Sequence, residues 1–439
     1  MEYINEILEK IKKEKDGKFY EATSAFLNSI SNYIEENEEI FRKKAILEKL
    51  TTPDRVIQFK VSWVDDNGIN RVNNGYRVQF NNALGAYKGG LRFHPTVDLD
   101  TLKFLGFEQT FKNALTNLPI GGAKGGSDFN PKGKSDNEIL NFCKEFMNEL
   151  YRYIGPYTDI PAGDIGVSGK EIGYLFGHYK KLTRKFDGTI SGKPNTIGGL
   201  LGRNEATGYG LVYFLNHIMK KDNFDIKDKK ILVSGSGNVA IHAIEKANEL
   251  KAKCITASDS NGFIYDENGI DIDILKEIKL IKKQRISEYV KFVKTAKYFE
   301  GERPWNIKAD IALPCATENE INKNDAMNLL NNGIKYIAEG ANMPTNNEAK
   351  DIILNSNIVF LPAKAANAGG VMSSVFEMSQ DSNYIYWNFK KSDDMLKENM
   401  EKMAESIYNE KIRSSCDYQT AANLIAFKKV VDAIIIEGI

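Results

Sequence analysis

Residues Ile231–Leu250 read ILVSGSGNVAIHAIEKANEL. The run opens apolar, turns through Gly235, Ser236 and Gly237, and continues with apolar residues at helical spacing. A GxGxxA turn between a strand and a helix has a physical purpose. The first glycine permits the tight turn, and the second lets backbone amides approach a pyrophosphate at the helix N-terminus. Ala240 is the third small residue. The next strand ends at Asp259, 24 residues after Gly235, close to where a ribose-binding acid belongs. A glycine turn that binds nothing is the bland alternative. The acid at this distance within a β-α-β unit favours a dinucleotide.

Working outward, KKILVSG, KCITASD, ADIALPC, IKYIAEG and NIVFLPA are short apolar strands with helical stretches between several of them. That rhythm predicts a parallel, doubly wound sheet. It begins after Gly199, and the glycine-rich SGKPNTIGGLLGR at 191–203 marks the boundary. Before it the pattern differs. Residues 1–50 are rich in helix formers, with Ile4, Ile7, Leu8 and Ile11 at helical spacing. Ile57, Phe59, Val61 and Trp63 then alternate with polar residues. Asn67–Gly68 offers a turn, and Tyr76, Val78 and Phe80 alternate again, which predicts antiparallel or mixed sheet. A helix is expected from Asp98 to about Asn117, and Ser135 with Glu138 forms a capping box that opens another.

The totals exclude several classes. Hydrophobic residues make up 42% of the 439, and 59 basic residues balance 59 acidic ones. Zero net charge argues against nucleic acid or an anionic membrane as the main partner. The four cysteines, Cys143, Cys254, Cys315 and Cys416, form no CxxC pair and fit a reducing compartment. The four histidines are scattered, so no metal site is expected. The charged N-terminus does not read as a signal peptide, and no apolar run reaches membrane-spanning length. A cytoplasmic location is expected, or an organelle if a transit peptide precedes residue 1.

Three lysines occupy unusual settings. Lys88 lies in AYKGGLRF, Lys112 in FEQTFKNAL, and Lys124 in LPIGGAKGGSDF, between two glycine pairs. One such lysine alone is normally a solvated surface charge. Together they lie within 37 residues, two of them beside glycines. Clustered ammonium groups suit a dicarboxylate. Their mutual repulsion and burial would lower one pKa, and a neutral amine is a general base. Asp164, between glycines in PAGDIGV, is usually a turn residue. Near a lysine cluster it becomes a candidate proton carrier.

These blocks, with RNEATGYG, GSGNVA, LPCATENE, AEGANMPT and KAANAGGVMSSVFEMSQ, resemble the glutamate dehydrogenase family in its smaller hexameric type. They stand in the family's order from about residue 55 to the C-terminus. The resemblance implies an N-terminal mixed α/β substrate and oligomerisation domain, residues 1–197. It implies a doubly wound Rossmann-type dinucleotide-binding domain, residues 198–414, with a cleft between the two and a terminal helix, 415–439, returning to the first. It implies that Lys88 and Ser374 bind the γ-carboxylate of L-glutamate, and that Lys112 with Gln109 binds the α-carboxylate. Gly163 and Val371 complete the substrate site. Lys124 is then the catalytic lysine, Asp164 its proton-transfer partner, and the glycines beside Lys124 leave room for the reactants. Arg203, Thr207, Ala316, Asn342 and Asn367 would meet the nicotinamide end, and Gly235, Gly237 and Asn238 the pyrophosphate.

The products implied are 2-oxoglutarate and ammonia, and the assembly a homo-hexamer. TASDSNG is similar to the NADP-linked branch, with Ser260 and Lys283 or Arg285 around a 2′-phosphate. Asp259 speaks for NAD, the alternative coenzyme. A relative acting on leucine, valine or phenylalanine would be expected to carry an apolar residue at position 88. A non-catalytic protein on this fold would not need Lys124 and Asp164.

Overall fold

The computed structural model describes residues 1–439. The chain divides into two compact units. Unit 1 comprises Met1–Leu201, Ser373–Ser392 and Asn423–Ile439; unit 2 comprises Gly202–Met372 and Asp393–Ala422. The sequence reading drew the second domain as one run, 198–414. The structure instead gives 373–392 to unit 1 and makes the last division within the helix Tyr418–Glu437. Side chains explain the difference. Lys193 pairs with Glu377 and Asp381 at 2.7 Å each, and Phe427 packs edge-on against Phe41 and Tyr33.

Unit 1 opens with five helices between Glu2 and Thr51, in which Ile4, Ile7, Leu8 and Ile11 are buried. Five strands follow: β1 (Arg55–Val64), β2 (Asn70–Asn81), β3 (Tyr87–Phe93), β4 (Gly122–Ser127) and β5 (Asp159–Gly163). Their spatial order is β1-β2-β4-β3-β5. The β1–β2 and β2–β4 pairs are antiparallel; β3 is parallel to both β4 and β5. The turn at Asn67–Gly68 forms as expected, because the Asp65 carboxylate accepts from the Asn67 and Ile69 amides. On one face lies the helix Leu99–Leu115, capped by Asp98, with Phe107 against Phe80 of β2. On the other, Trp63, Leu91 and Phe93 pack with helices Asp136–Leu150 and Gly169–Thr183. Ser135 and Glu138 form the capping box.

The lysine stretch forms a strand despite its glycine content. Residues Gly122–Ser127 form β4, a wholly buried interior strand. Its glycines are required by the neighbours. A Cβ on Gly122 would stand 2.5 Å from Thr110 Cα of the helix above. One on Gly125 would meet the Tyr76 carbonyl at 2.8 Å and Leu91 Cδ2 at 2.9 Å. Gly126 has a φ of 154°, which side chains rarely adopt.

Unit 2 holds β6 (Lys230–Val233), β7 (Lys253–Cys254), β8 (Thr256–Asp259), β9 (Gly262–Tyr265), β10 (Lys297–Glu300), β11 (Ile311–Leu313), β12 (Tyr336–Ala338) and β13 (Val359–Leu361). A five-stranded sheet runs β13-β12-β11-β6-β7, parallel throughout. All five apolar runs of the sequence enter it. The run KCITASD breaks after Cys254, so that β8 joins a separate antiparallel sheet, β10-β9-β8, which sequence patterning missed. Chain order reverses between β6 and β11, a topological switch point of the kind that forms ligand crevices.

If contact with the helix is what forbids a side chain at Gly122, Gly122→Ala should destabilise the chain by about 1–3 kcal/mol or more. A Cβ on Gly177, in the helix Gly169–Thr183, would meet nothing within 4 Å. Gly177→Ala should stabilise by about 0.4–1 kcal/mol. Urea denaturation of the two full-length variants tests the contrast.

Candidate active site

Strand alternation gathers charged residues on one face of the unit 1 sheet. Lys124 of β4 pairs with Val78 of β2, so it shares the face of Val78, under the helix Leu99–Leu115. Lys88, Gly90 and Arg92 of β3 alternate onto that same face, given the Leu91–Gly125 register. Asp164 follows directly after β5. Its backbone comes close to β3, because a Cβ on Gly90 would stand 2.9 Å from Asp164 Cβ.

Lys124 Nζ lies 3.1 Å from Asp164 Oδ2, and Arg92 Nε donates to that same oxygen at 2.9 Å. Burial pushes the Lys124 amine below its ordinary value. Asp164 opposes this, and Arg92 and Arg77 push the same way as burial. Burial pushes the Asp164 carboxyl up, but Lys124 and Arg92 outweigh it and hold the group below the usual carboxylate range. Two arginines, which the sequence reading did not name, are thus among the cations that act on Lys124.

Lys88 is 3% exposed, and Lys112 is half-buried. Gln109, one turn before Asn113 on the helix, donates to the Asn113 amide oxygen at 2.7 Å. Asn113 in turn donates to the carbonyls of Lys88 at 3.1 Å and Gly121 at 2.6 Å, tying the helix to the backbone that bears both lysines. Gly163 is the exposed last residue of β5; Ser374 is buried and Val371 half-buried on the helix Gly369–Asn383.

Arg77 occupies the opposite face of β2. It is wholly buried and forks onto Asp159 of β5, with Nε 2.9 Å from Oδ2 and Nη2 on Oδ1. Its Nη1 donates to the Gly89 carbonyl at 3.0 Å, and Gln79 donates to Asp159 at 3.0 Å. Gly125 makes this passage possible, since a Cβ there would stand 2.9 Å from Arg77 Cδ.

In unit 2 the expected dinucleotide residues collect at the switch point. Gly235 has a φ of 85° at the end of β6, and a Cβ on it would lie 3.2 Å from Ala316 Cα, after β11. Ser258 Oγ accepts from the Gly235 amide at 2.7 Å and fixes the turn. Gly237 caps the helix Asn238–Glu249 without a side-chain partner, and a Cβ there would meet nothing within 4 Å. This open, uncapped N-terminus fits a pyrophosphate. Asn238 donates to the Asn204 carbonyl. Asn367 donates to Asn342 Oδ1 at 2.9 Å, so those two form one edge. A Cβ on Gly370 would meet Thr207 Oγ1 at 2.7 Å and Arg203 Nη1 at 3.6 Å, which places both near the start of that helix.

Both Asp259 oxygens are engaged by backbone: Oδ1 accepts from the Asn261 amide at 2.9 Å and Oδ2 from the Ile286 amide at 3.0 Å. Lys279 Nζ and Arg285 Nη1 each stand 3.9 Å from Oδ2, and Arg285 donates to Ser260 Oγ at 2.8 Å. Lys283 is exposed, with a φ of 51°. No cluster of three or more His, Cys, Asp or Glu side chains could hold a metal ion.

Sequence reading missed Arg92, Arg77, Asn113 and Lys279. Arg92 was within reach, because it lies four residues after Lys88 on an alternating strand. It also missed Glu320, whose carboxylate accepts from the Ala316 amide at 3.0 Å and which burial pushes up to about 7.

A family model described as glutamate/leucine/phenylalanine/valine dehydrogenase matches residues 198–438, and one for the dimerisation domain of the Glu/Leu/Phe/Val dehydrogenases matches 53–181. The NAD(P)-specific glutamate dehydrogenase of Xylanibacter ruminicola is 50% identical over 99% of both chains. The NADP-specific glutamate dehydrogenase of Helicobacter pylori is 47% identical over 100% of both. The crystal structure of Plasmodium falciparum glutamate dehydrogenase superposes with a TM-score of 0.96 at 47% identity, covering 99% of this chain and 94% of that one.

Arg92→Met removes one cation beside Lys124 and leaves Asp164 to pair with the lysine alone. The Lys124 pKa should rise. Its rate of acylation by an amine reagent, followed against pH by peptide mass mapping, should reach its midpoint at higher pH in the variant.

Proposed function

Because the chain belongs to the glutamate/leucine/phenylalanine/valine dehydrogenase family, we propose that it oxidatively deaminates L-glutamate to 2-oxoglutarate and ammonia with NADP⁺, and runs the reverse amination. NAD⁺ is the alternative coenzyme. The observation that carries the catalytic reading is the pairing of buried Lys124 with half-buried Asp164 at 3.1 Å, with Arg92 on the same carboxylate oxygen.

Lys88 and Ser374 take the γ-carboxylate, Lys112 and Gln109 the α-carboxylate, and Gly163 and Val371 close the substrate site. Gly235, Gly237, Asn238, Arg203, Thr207, Ala316, Asn342 and Asn367 hold the dinucleotide. When bound, the dinucleotide supplies the hydride acceptor for the substrate's α-carbon. The chain's own residues handle water and protons. Lys124 in its neutral form takes a proton from water as the water oxygen attacks the oxidised carbon. Burial makes that form accessible. Asp164, held ionised by two cations, accepts a proton from the lysine and delivers it to the departing amine. The excess positive charge on this sheet face suits a dicarboxylate. Lys88 selects a charged substrate side chain over those of leucine or valine.

The 2′-phosphate reading rests on the state of Asp259. Its oxygens are spent on backbone amides and two cations flank it, so it does not stand free to bind ribose or to repel a phosphate. Ser260, Arg285 and Lys279 bind the phosphate, with Lys283 an outer charge.

The protein is a homo-oligomer, and a hexamer is our reading. β1 supports it: the strand pairs only with β2, and Val56 and Val64 on it are exposed. An unpaired edge of ten residues invites a second copy. No helix is long and apolar enough to cross a membrane. Four free cysteines support a reducing, cytoplasmic setting.

Lys124→Ala should lower kcat by roughly 10²–10⁴-fold, the worth of general-base catalysis. Dinucleotide affinity, followed by nucleotide fluorescence, should stay near wild type. A variant keeping a tenth of wild-type kcat would remove Lys124 from the mechanism. Initial rates should show kcat/KM at least about tenfold higher with NADPH than with NADH, and Arg285→Ala should erase most of that preference. A preference for NADH would return Asp259 to the ribose.

A further inference from the structure

The helix Gly369–Asn383 carries Ser374, and it is gripped one turn further on by a charge cluster that the reaction does not use. Lys193, from the loop that follows the helix Gly169–Thr183, is completely covered. Its three ammonium hydrogens have three acceptors: Glu377 Oε1 at 2.7 Å, Asp381 Oδ2 at 2.7 Å and the Ile190 carbonyl at 2.9 Å. The Glu377 carboxylate also accepts from the backbone amides of Gly192 at 3.0 Å and Lys193 at 3.2 Å. One turn on, Gln380 donates to the Gly198 carbonyl at 3.2 Å. The loop is itself pinned to the sheet, because the Ser191 amide donates to the Pro161 carbonyl of β5 at 3.0 Å. β5 is the parallel neighbour of β3, where Ile160 lies opposite Lys88.

An unbroken series of short polar contacts therefore runs from the strand beside Lys88 to the helix that bears Ser374. Residues 374, 377 and 381 share one helix face. Any slide or rotation of the helix that displaced Ser374 would break the Glu377 and Asp381 bonds. Stability alone is a weak reason for such a cluster. Burying one cation with two carboxylates leaves a net negative charge, and burial pushes Asp381 up to about 6. Well-packed apolar residues often serve as well as buried ion pairs or better.

From this geometry we propose that Lys193, through Glu377 and Asp381, is a positioning residue for substrate selection: it sets the register of the Ser374 helix against β3 and β5. The proposal rests on the reading of Ser374 given above. It predicts a loss confined to substrates with a γ-carboxylate. A general loosening of the fold would impair all substrates alike.

The test is the ratio of kcat/KM for L-glutamate to that for L-norvaline, which has a methyl group in place of the carboxylate. In full-length Lys193→Met the ratio should fall at least about tenfold, mostly through a higher KM for glutamate, with norvaline turnover little changed. Lysine loss leaves two buried carboxylates unpaired and could prevent folding. The charge-free triple variant Lys193→Met/Glu377→Gln/Asp381→Asn avoids that penalty and should show the same fall. Equal losses on both substrates, or an unchanged ratio in the folded variants, would overturn the proposal. Ser374→Ala, run in parallel, separates the two readings. If it lowers the ratio and the Lys193 variants do not, only the positioning role fails. If it too leaves the ratio unchanged, the Ser374 reading falls and the proposal with it.

Discussion

The structure of unit 1 depends on one steric constraint, the closeness with which β4 is packed. Thr110 of the helix Leu99–Leu115 presses on Gly122, and the Tyr76 carbonyl and Leu91 press on Gly125. No side chain larger than hydrogen fits at either point. Interior packing at this density leaves little freedom to adjust. Lys124, between those glycines, is therefore carried by a strand that cannot shift without disturbing the helix above and the strands beside it. A loop lysine could reach the same place but would not be held there, and the catalytic role proposed for Lys124 needs reacting groups held in place.

Close packing brings an electrostatic problem. Lys124, Arg92 and Asp164 crowd one face of the sheet, and Arg77 and Asp159 lie buried on the other. An isolated buried charge costs several kcal/mol, so each must be paired and hydrogen-bonded. Arg77 meets this requirement with a two-pronged bond to Asp159 and a donation to a backbone carbonyl. Lys124 meets it less completely. Its carboxylate partner is shared with Arg92, and burial keeps pressing it toward the neutral form. The less well-satisfied pair is the one to which the proposed function assigns a mobile proton.

Unit 2 applies the same economy to an anion. The turn after β6 is braced by Ser258, leaving Gly237 open at an uncapped helix start. Asp259, the residue that most suggests a bare ribose acid, is spent on two backbone amides. Its residual charge is offset by Lys279 and Arg285. A carboxylate so engaged ties the loop together through the Asn261 and Ile286 amides.

The sequence by itself determined the two kinds of architecture and the strand-turn-helix at Gly235, and it singled out Lys88, Lys124 and Asp164 as candidates. Those features are written in short-range periodicity and in residues whose chemistry is rare at their spacing. Their partners were decided only by tertiary structure. Arg77 reaches Asp159 across 82 positions, and Lys193 reaches Glu377 across 184, so no local pattern could announce either pair. The glycines around Lys124 carried a legible signal with the wrong cause. Sequence shows that a side chain is missing, and only the fold shows that neighbouring backbone and helix occupy its space. The loop around Asp259 has the same lesson. Whether an aspartate is free or engaged depends on where the Asn261 and Ile286 amides point, and that direction is set by the folded chain.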